Sequence, residues 1–128
     1  MAVTSSKKAK KHLKLPKARV YIHTSFNNTL ITITDLNGNA YGFASAGTCG
    51  YKGTRKATPY AATVTANSII ERLKSLSTAD IEIYISGIGV GRDTALRAFA
   101  NSGLNILAIK DRTPIAFNGP RPKKPRRV

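Results

Sequence analysis

Leu30-Ile31-Thr32-Ile33-Thr34-Asp35-Leu36-Asn37-Gly38-Asn39-Ala40-Tyr41-Gly42-Phe43-Ala44 decides the fold. Residues 30–34 alternate and are β-branched from Ile31 onward, so Ile31 and Ile33 share one face of a strand. Asn37-Gly38 then sits between two such runs, a strong short-range hairpin signal because both residues tolerate left-handed backbone. Residues 40–44 return as the partner strand. Upstream, residues 19–24 alternate again, with Val20 and Ile22 on one side and Tyr21 and His23 on the other. Ser25-Phe26-Asn27-Asn28 between them is turn chemistry. The first third of the chain is therefore predicted to be a three-stranded antiparallel meander.

Downstream the pattern changes. Residues 45–58 lose their periodicity in a loop carrying Gly47, Gly50 and Gly53, with Lys52, Arg55 and Lys56 interleaved beside Tyr51. Thr58-Pro59 opens a helix, since Thr caps and Pro suits the first helical position. Ala62, Ala66, Ile69, Leu73 and Leu76 recur every three or four residues and give its buried face. Residues 80–86 read as a strand, with Ile81, Ile83 and Ile85 together. Residues 87–92 lead into a short helix that Asp93 or Thr94 could cap and that Gly103 ends. Residues 105–110 read as a last strand. Strand–helix–strand connections make parallel neighbours. The expected fold is a single α/β domain: a mixed five-stranded sheet, an antiparallel meander plus two parallel strands, with two main helices.

Charge narrows the function. Twenty-one Lys and Arg stand against 6 Asp and Glu, a net +15. The excess gathers at the ends: Lys7, Lys8, Lys10, Lys11, Lys14, Lys17 and Arg19 at one, Arg121, Lys123, Lys124, Arg126 and Arg127 at the other, with no acid among them. Such runs repel themselves and stay out of a core until a polyanion neutralises them. A basic arm over residues 1–17, a domain over 18–113 and a Pro-rich tail over 114–128 are the expected parts, the two ends disordered in the free protein. Two basic ends on a near-neutral body favour nucleic acid over an anionic membrane, because neither has the apolar face of an interfacial helix. No apolar run approaches the roughly 20 residues a membrane span needs, and no secretory signal is expected. Cys49, the single cysteine, permits no intramolecular disulfide and reads as structural or incidental.

Catalysis finds little support. The six acids, Asp35, Glu71, Asp80, Glu82, Asp93 and Asp111, are scattered over separate elements rather than clustered to hold two cations. His12 lies in the basic arm, and His23 stands alone on a strand. Gly87-x-Gly89-x-Gly91 resembles a phosphate cradle, but the dinucleotide fingerprint needs its third glycine where Arg92 stands. Two readings stay open: a turn joining strand to helix, or one presenting Gly89, Gly91 and Arg92 to an RNA phosphate. No enzyme, cofactor or metal is expected. Lys52, Arg55 and Lys56 are read as phosphate contacts with Tyr51 available to stack, against the alternative of a solvated loop. Asn118-Gly119 has a further property. Glycine leaves the asparagine side chain open to backbone attack, so isoaspartate formation just before the tail is one reading and an ordinary turn the other.

Ser25-Phe26-Asn27-Asn28-Thr29, Thr34-Asp35-Leu36-Asn37-Gly38-Asn39, Ser45-Ala46-Gly47, Lys52-Gly53-Thr54-Arg55-Lys56-Ala57-Thr58-Pro59, residues 87–92 and residues 110–119 resemble the small-subunit ribosomal protein eleven family, in order and with compatible spacing. Arg55-Lys56-Ala57-Thr58-Pro59 and the Arg-Arg-Val ending resemble its bacterial or organellar branch. The resemblance implies a ribonuclease-H-like fold without nuclease carboxylates. It implies a structural constituent of the small subunit that binds and bridges ribosomal RNA helices on the platform, near the cleft holding the messenger (Shine-Dalgarno) segment. Implied RNA contacts include Asn27, Asn28 and Asn118 beside the cations named above. Implied partners are ribosomal proteins seven, eighteen and twenty-one, with initiation factor three close by, on a cytoplasmic or organellar ribosome. Two departures stand out. Ile88 stands where the family usually has Pro, and Ala116-Phe117 and Pro120 replace Pro-His and a frequent Cys. The rival expectation is a free-standing basic nucleic-acid-binding protein.

Overall fold

The computed structural model describes residues 14–53, 58–125 and 127. Five strands form one sheet in the order β3-β2-β1-β4-β5: β1 (Lys17–Thr24), β2 (Thr29–Thr34), β3 (Ala40–Ser45), β4 (Asp80–Gly87) and β5 (Asn105–Asp111). The first three pair antiparallel, and β4 lies parallel to both β1 and β5. The expected mixed sheet is the observed one. Helices α1 (Pro59–Ser75) and α2 (Gly91–Ala100) pack on each other and on one face of the sheet.

Local chemistry explains these elements. At the β2–β3 hairpin the Asp35 carboxylate accepts the backbone N–H groups of Asn37 (2.8 Å) and Asn39 (2.9 Å), while Gly38 takes a left-handed φ of 96°. These bonds, led by that from Asn39, hold the Asp35 pKa below its ordinary value. Thr58 caps α1 by accepting the Ala61 N–H at 3.2 Å, and Pro59 follows it in the first turn. Arg72 and Lys74 lie in the last turn, where cations suit the negative end of the helix. The expected cap of α2 is not made. That helix begins at Gly91 after Val90, with no side-chain cap, and Asp93 falls inside its first turn. The three-residue connection from β4 starts the helix too early for Asp93 or Thr94 to precede it.

Alternation places Val20, Ile22, Ile31, Ile33, Ile81, Ile83 and Ile85 under the helices, against Ala62, Ala66, Ile69, Leu73, Leu76, Ala95 and Phe99. Leu15, inside the segment read as basic arm, is also core: its N–H bonds the Leu76 carbonyl at 2.9 Å, and its carbonyl accepts the Thr78 hydroxyl at 2.7 Å. Among the described residues the opposite sheet face carries no helix. Across it runs the row Phe43, Thr32, Tyr21, Tyr84, Lys110, set by the register of all five strands.

Two glycines separate conformational from steric demand. Gly103 has φ 84° and open space where a Cβ would stand. At Gly87, φ 89°, a Cβ would collide with the Thr24 carbonyl oxygen. Gly103→Ala should cost about 1–2 kcal/mol in urea unfolding, the usual penalty of left-handed backbone. Gly87→Ala must also move the backbone of β1 and should lower the unfolding midpoint clearly further; equal losses would contradict this reading.

Candidate nucleic-acid interface

The glycine-rich turn after β4 is shaped by its neighbours. A Cβ on Gly89 would lie 2.6 Å from the Ser25 carbonyl oxygen, and one on Gly91 would lie 2.6 Å from Thr29 Oγ1 and 2.8 Å from Ala62 Cβ. All three glycines thus let the turn nest against the β1–β2 connection and α1. Within that connection Ser25 Oγ accepts the N–H groups of Asn27 and Asn28, and Asn28 Oδ1 accepts the Thr29 N–H at 2.8 Å. Asn28 is half-buried in its own turn, and Asn27 is exposed.

Arg92 is committed within the fold. Its Nη1 donates to the Gly87 carbonyl (3.0 Å) and to Thr113 Oγ1 (3.4 Å), and its Nη2 donates to Asp111 Oδ2 at 2.5 Å. Asp111 also accepts the N–H (3.0 Å) and hydroxyl (2.6 Å) of Thr113. The Thr113 hydroxyl first, then Arg92, hold the Asp111 carboxyl at about 2. This clamp ties the end of β5 to the glycine turn, so Arg92 aims the chain that follows. Beyond it Asn118 has φ 55° and Phe117 is almost wholly exposed. Arg121, Lys123, Lys124 and Arg127 are exposed, with no helix or strand between residues 112 and 125.

In the loop before α1, Lys52 is exposed and Tyr51 half-buried. Tyr51 packs edge-on against Tyr60, centroids 6.2 Å apart, and burial pushes its phenol pKa up. Tyr60, which the sequence reading passed over, shows 69% of its surface and offers the freer ring. Lys14 and Lys17 are exposed at the head of β1. Lys7, Lys8, Lys10, Lys11, Arg55, Lys56 and Arg126 lie outside the described residues.

A second group was also missed. Tyr21 and Tyr84 stack on the open face with centroids 5.1 Å apart, and Arg19, Lys110 and Arg112 lie 5.7, 5.5 and 5.6 Å from the Tyr84 centroid. The parity of Arg19 and Tyr21 was visible on one strand, and that of Glu82 and Tyr84 on another. Only the β1–β4 pairing joins them. Among the described residues no group of three His, Cys, Asp or Glu side chains could hold a metal ion, and no helix is long and apolar enough to cross a membrane.

A basic α/β domain with cationic ends and a helix-free sheet face is the class these features define. The model of the family described as ribosomal protein S11 matches residues 18–127. The small ribosomal subunit protein uS11 of Borreliella burgdorferi (strain ZS7) is 44% identical over 128 residues, covering 100% of this chain and 97% of that protein. That of Aquifex aeolicus (strain VF5) is 47% identical over 124 residues, 97% of this chain and 99% of the relative. The uS11c protein of Angiopteris evecta is 48% identical over 115 residues, 90% and 88% of the two chains. The chain belongs to the ribosomal protein S11 family.

The clamp has a pH signature. Asp111 ionises more readily folded than unfolded, so its contribution is complete above the ordinary carboxylate range and is lost as pH falls toward about 2. The melting temperature of wild type should therefore exceed that of Asp111→Asn by a constant margin at neutral pH. That margin should close between about pH 4 and pH 2. A margin unchanged across this window would show that the carboxylate does not hold the clamp.

Proposed function

We propose that this chain is a structural protein of the small ribosomal subunit that binds and bridges ribosomal RNA helices on the platform, beside the messenger cleft. One observation carries the reading: some cations are bonded within the fold while those toward both ends and in the loop before α1 stay exposed. Arg72, bonded to the Tyr41 carbonyl, and Arg92 are consumed within the fold, whereas Lys14, Lys17, Lys52, Arg121, Lys123, Lys124 and Arg127 are exposed. Exposed cations at both ends of one body contact phosphates on more than one side, which is what bridging requires.

Family membership supports the ribosomal setting, whether in the cytoplasm or an organelle. Ribosomal proteins seven, eighteen and twenty-one and initiation factor three are the neighbours this reading supplies. The division into arm, domain and tail belongs to the same proposal, with the core beginning before residue 17, at Leu15. The role is architectural: the domain positions, the ends neutralise, and no covalent step is assigned.

Two experiments test it. In a lysate gradient the chain should co-sediment with small subunits; recovery only at the top of the gradient would instead mark a free-standing basic module. Removing residues 1–13 and 120–128, which spares Leu15, should leave the melt unchanged and flatten log affinity against log salt by several units, at about 0.7–0.9 for each phosphate no longer neutralised. An unchanged slope would remove the ends from the interface.

The loop forms a separate arm of the test. Neutralising Lys52, Arg55 and Lys56 together should weaken incorporation into subunits while melting moves little, because exposed loop charges contribute little to folding. Unfolding of that triple variant would make the loop structural.

A further inference from the structure

The helix-free face of the sheet is accounted for neither by the basic ends nor by the loop before α1. Three cations converge there on one phenol ring, so no two of them can stand farther apart than the sum of their distances to its centroid. Tyr21 covers one side of that ring. The one carboxylate in the group is Glu82, which accepts the Tyr84 hydroxyl at 3.1 Å and lies 3.5 Å from Arg19 Nε. Asp111, next in sequence to both Lys110 and Arg112, is turned to Arg92 and does not neutralise them. The patch keeps a surplus of two positive charges on the open sheet face, from β1, β5 and the residue that follows β5.

A groove leads away from it. A hollow of about 260 Å³ is lined by Tyr21, His23, Tyr84, Arg112 and Pro114. A second, of about 340 Å³, is lined by His23, Phe26, Gly87, Ile88 and Pro114. They share His23 and Pro114 and so adjoin, the first beside the cations and the second beside Phe26, which is 77% exposed. The His23 ring is steadied by a 3.0 Å hydrogen bond between Nδ1 and Ser86 Oγ.

We propose that this groove seats an unpaired segment of RNA, with phosphate at Arg19, Lys110 and Arg112 and a base against His23 and Phe26. Gathered like charges repel until an anion joins them, which selects a phosphate. A hollow beside an exposed ring selects a planar base that has left its helix, because rings reach base faces only where strands are unstacked. A paired helix would meet the cations but leave Phe26 idle. The proposal rests on the reading of the chain as an RNA-binding protein and adds a site on the sheet face, sharing only Arg19 and Pro114 with the ends, that distinguishes single strands from duplexes.

The test uses the full-length chain, a short fluorescent oligouridylate and an RNA duplex of equal length, with anisotropy read across a salt series. Phe26→Ala should weaken oligouridylate binding about tenfold and leave duplex binding and melting unchanged. Lys110→Gln with Arg112→Gln should lower the single-strand salt slope by about 0.7, the change for one phosphate no longer neutralised. Should that double variant melt early, Phe26→Ala decides alone, since its side chain lies outside the core. Wild-type oligouridylate binding by Phe26→Ala would overturn the groove while leaving RNA binding through the ends intact. A lysine-specific cross-link from Lys110 to a protein neighbour in intact subunits would likewise overturn it by assigning the face to protein. Failure of the unaltered chain to bind either RNA would defeat the broader reading itself.

Discussion

The parallel pairing of β1 with β4 runs unbroken from Lys17 opposite Asp80 to Thr24 opposite Gly87, and the rest of the molecule is arranged by it. At its far end the Thr24 carbonyl stands where a Cβ on residue 87 would have to be, so the chain turns there only because that residue is glycine. The same register puts Tyr21 beside Tyr84 and Arg19 beside Glu82. It delivers Gly91 into α2 at a point where Thr29 and Ala62 leave no room for a side chain. Slipping by one residue would reverse every side chain of β4 between the core and the open face. Core, open face and glycine turn are thus three results of one alignment.

Much of this was legible where the cause is local. Alternation in residues 19–24, 30–34 and 80–86 gave the core strands, and Asn37-Gly38 gave the hairpin, although Asp35 proves to be the side chain that organises it. Thr58-Pro59 gave the start of α1 for the reason it forms. The start of α2 was misplaced because its position depends on how far β4 runs beside β1, which no capping residue encodes. Leu15 and Pro16 sit between Lys14 and Lys17, so composition assigned them to a basic arm while packing assigns Leu15 to the core.

The proposed interface was less legible because its members are distant in sequence. Arg92 and Asp111 look like an available cation and a stray acid until the fold sets them 2.5 Å apart. Arg19, Tyr84 and Arg112 come from three segments and meet only on the assembled sheet. The basic ends, by contrast, need no fold to be recognised: a basic run without acids is legible in the sequence itself.

In the proposed RNA complex, the tie between Arg92, Asp111 and Thr113 also changes how the last residues of the chain would find their target. A basic peptide joined to the domain by a slack linker would sweep a wide volume and bind almost independently of it. Held at Thr113, beside the open sheet face, it starts its search from one fixed point, and its effective concentration near whatever the domain has bound rises accordingly. Individually weak patches of the proposed interface would then act with avidity: once the domain is seated, release of one patch would be followed by recapture before the others let go.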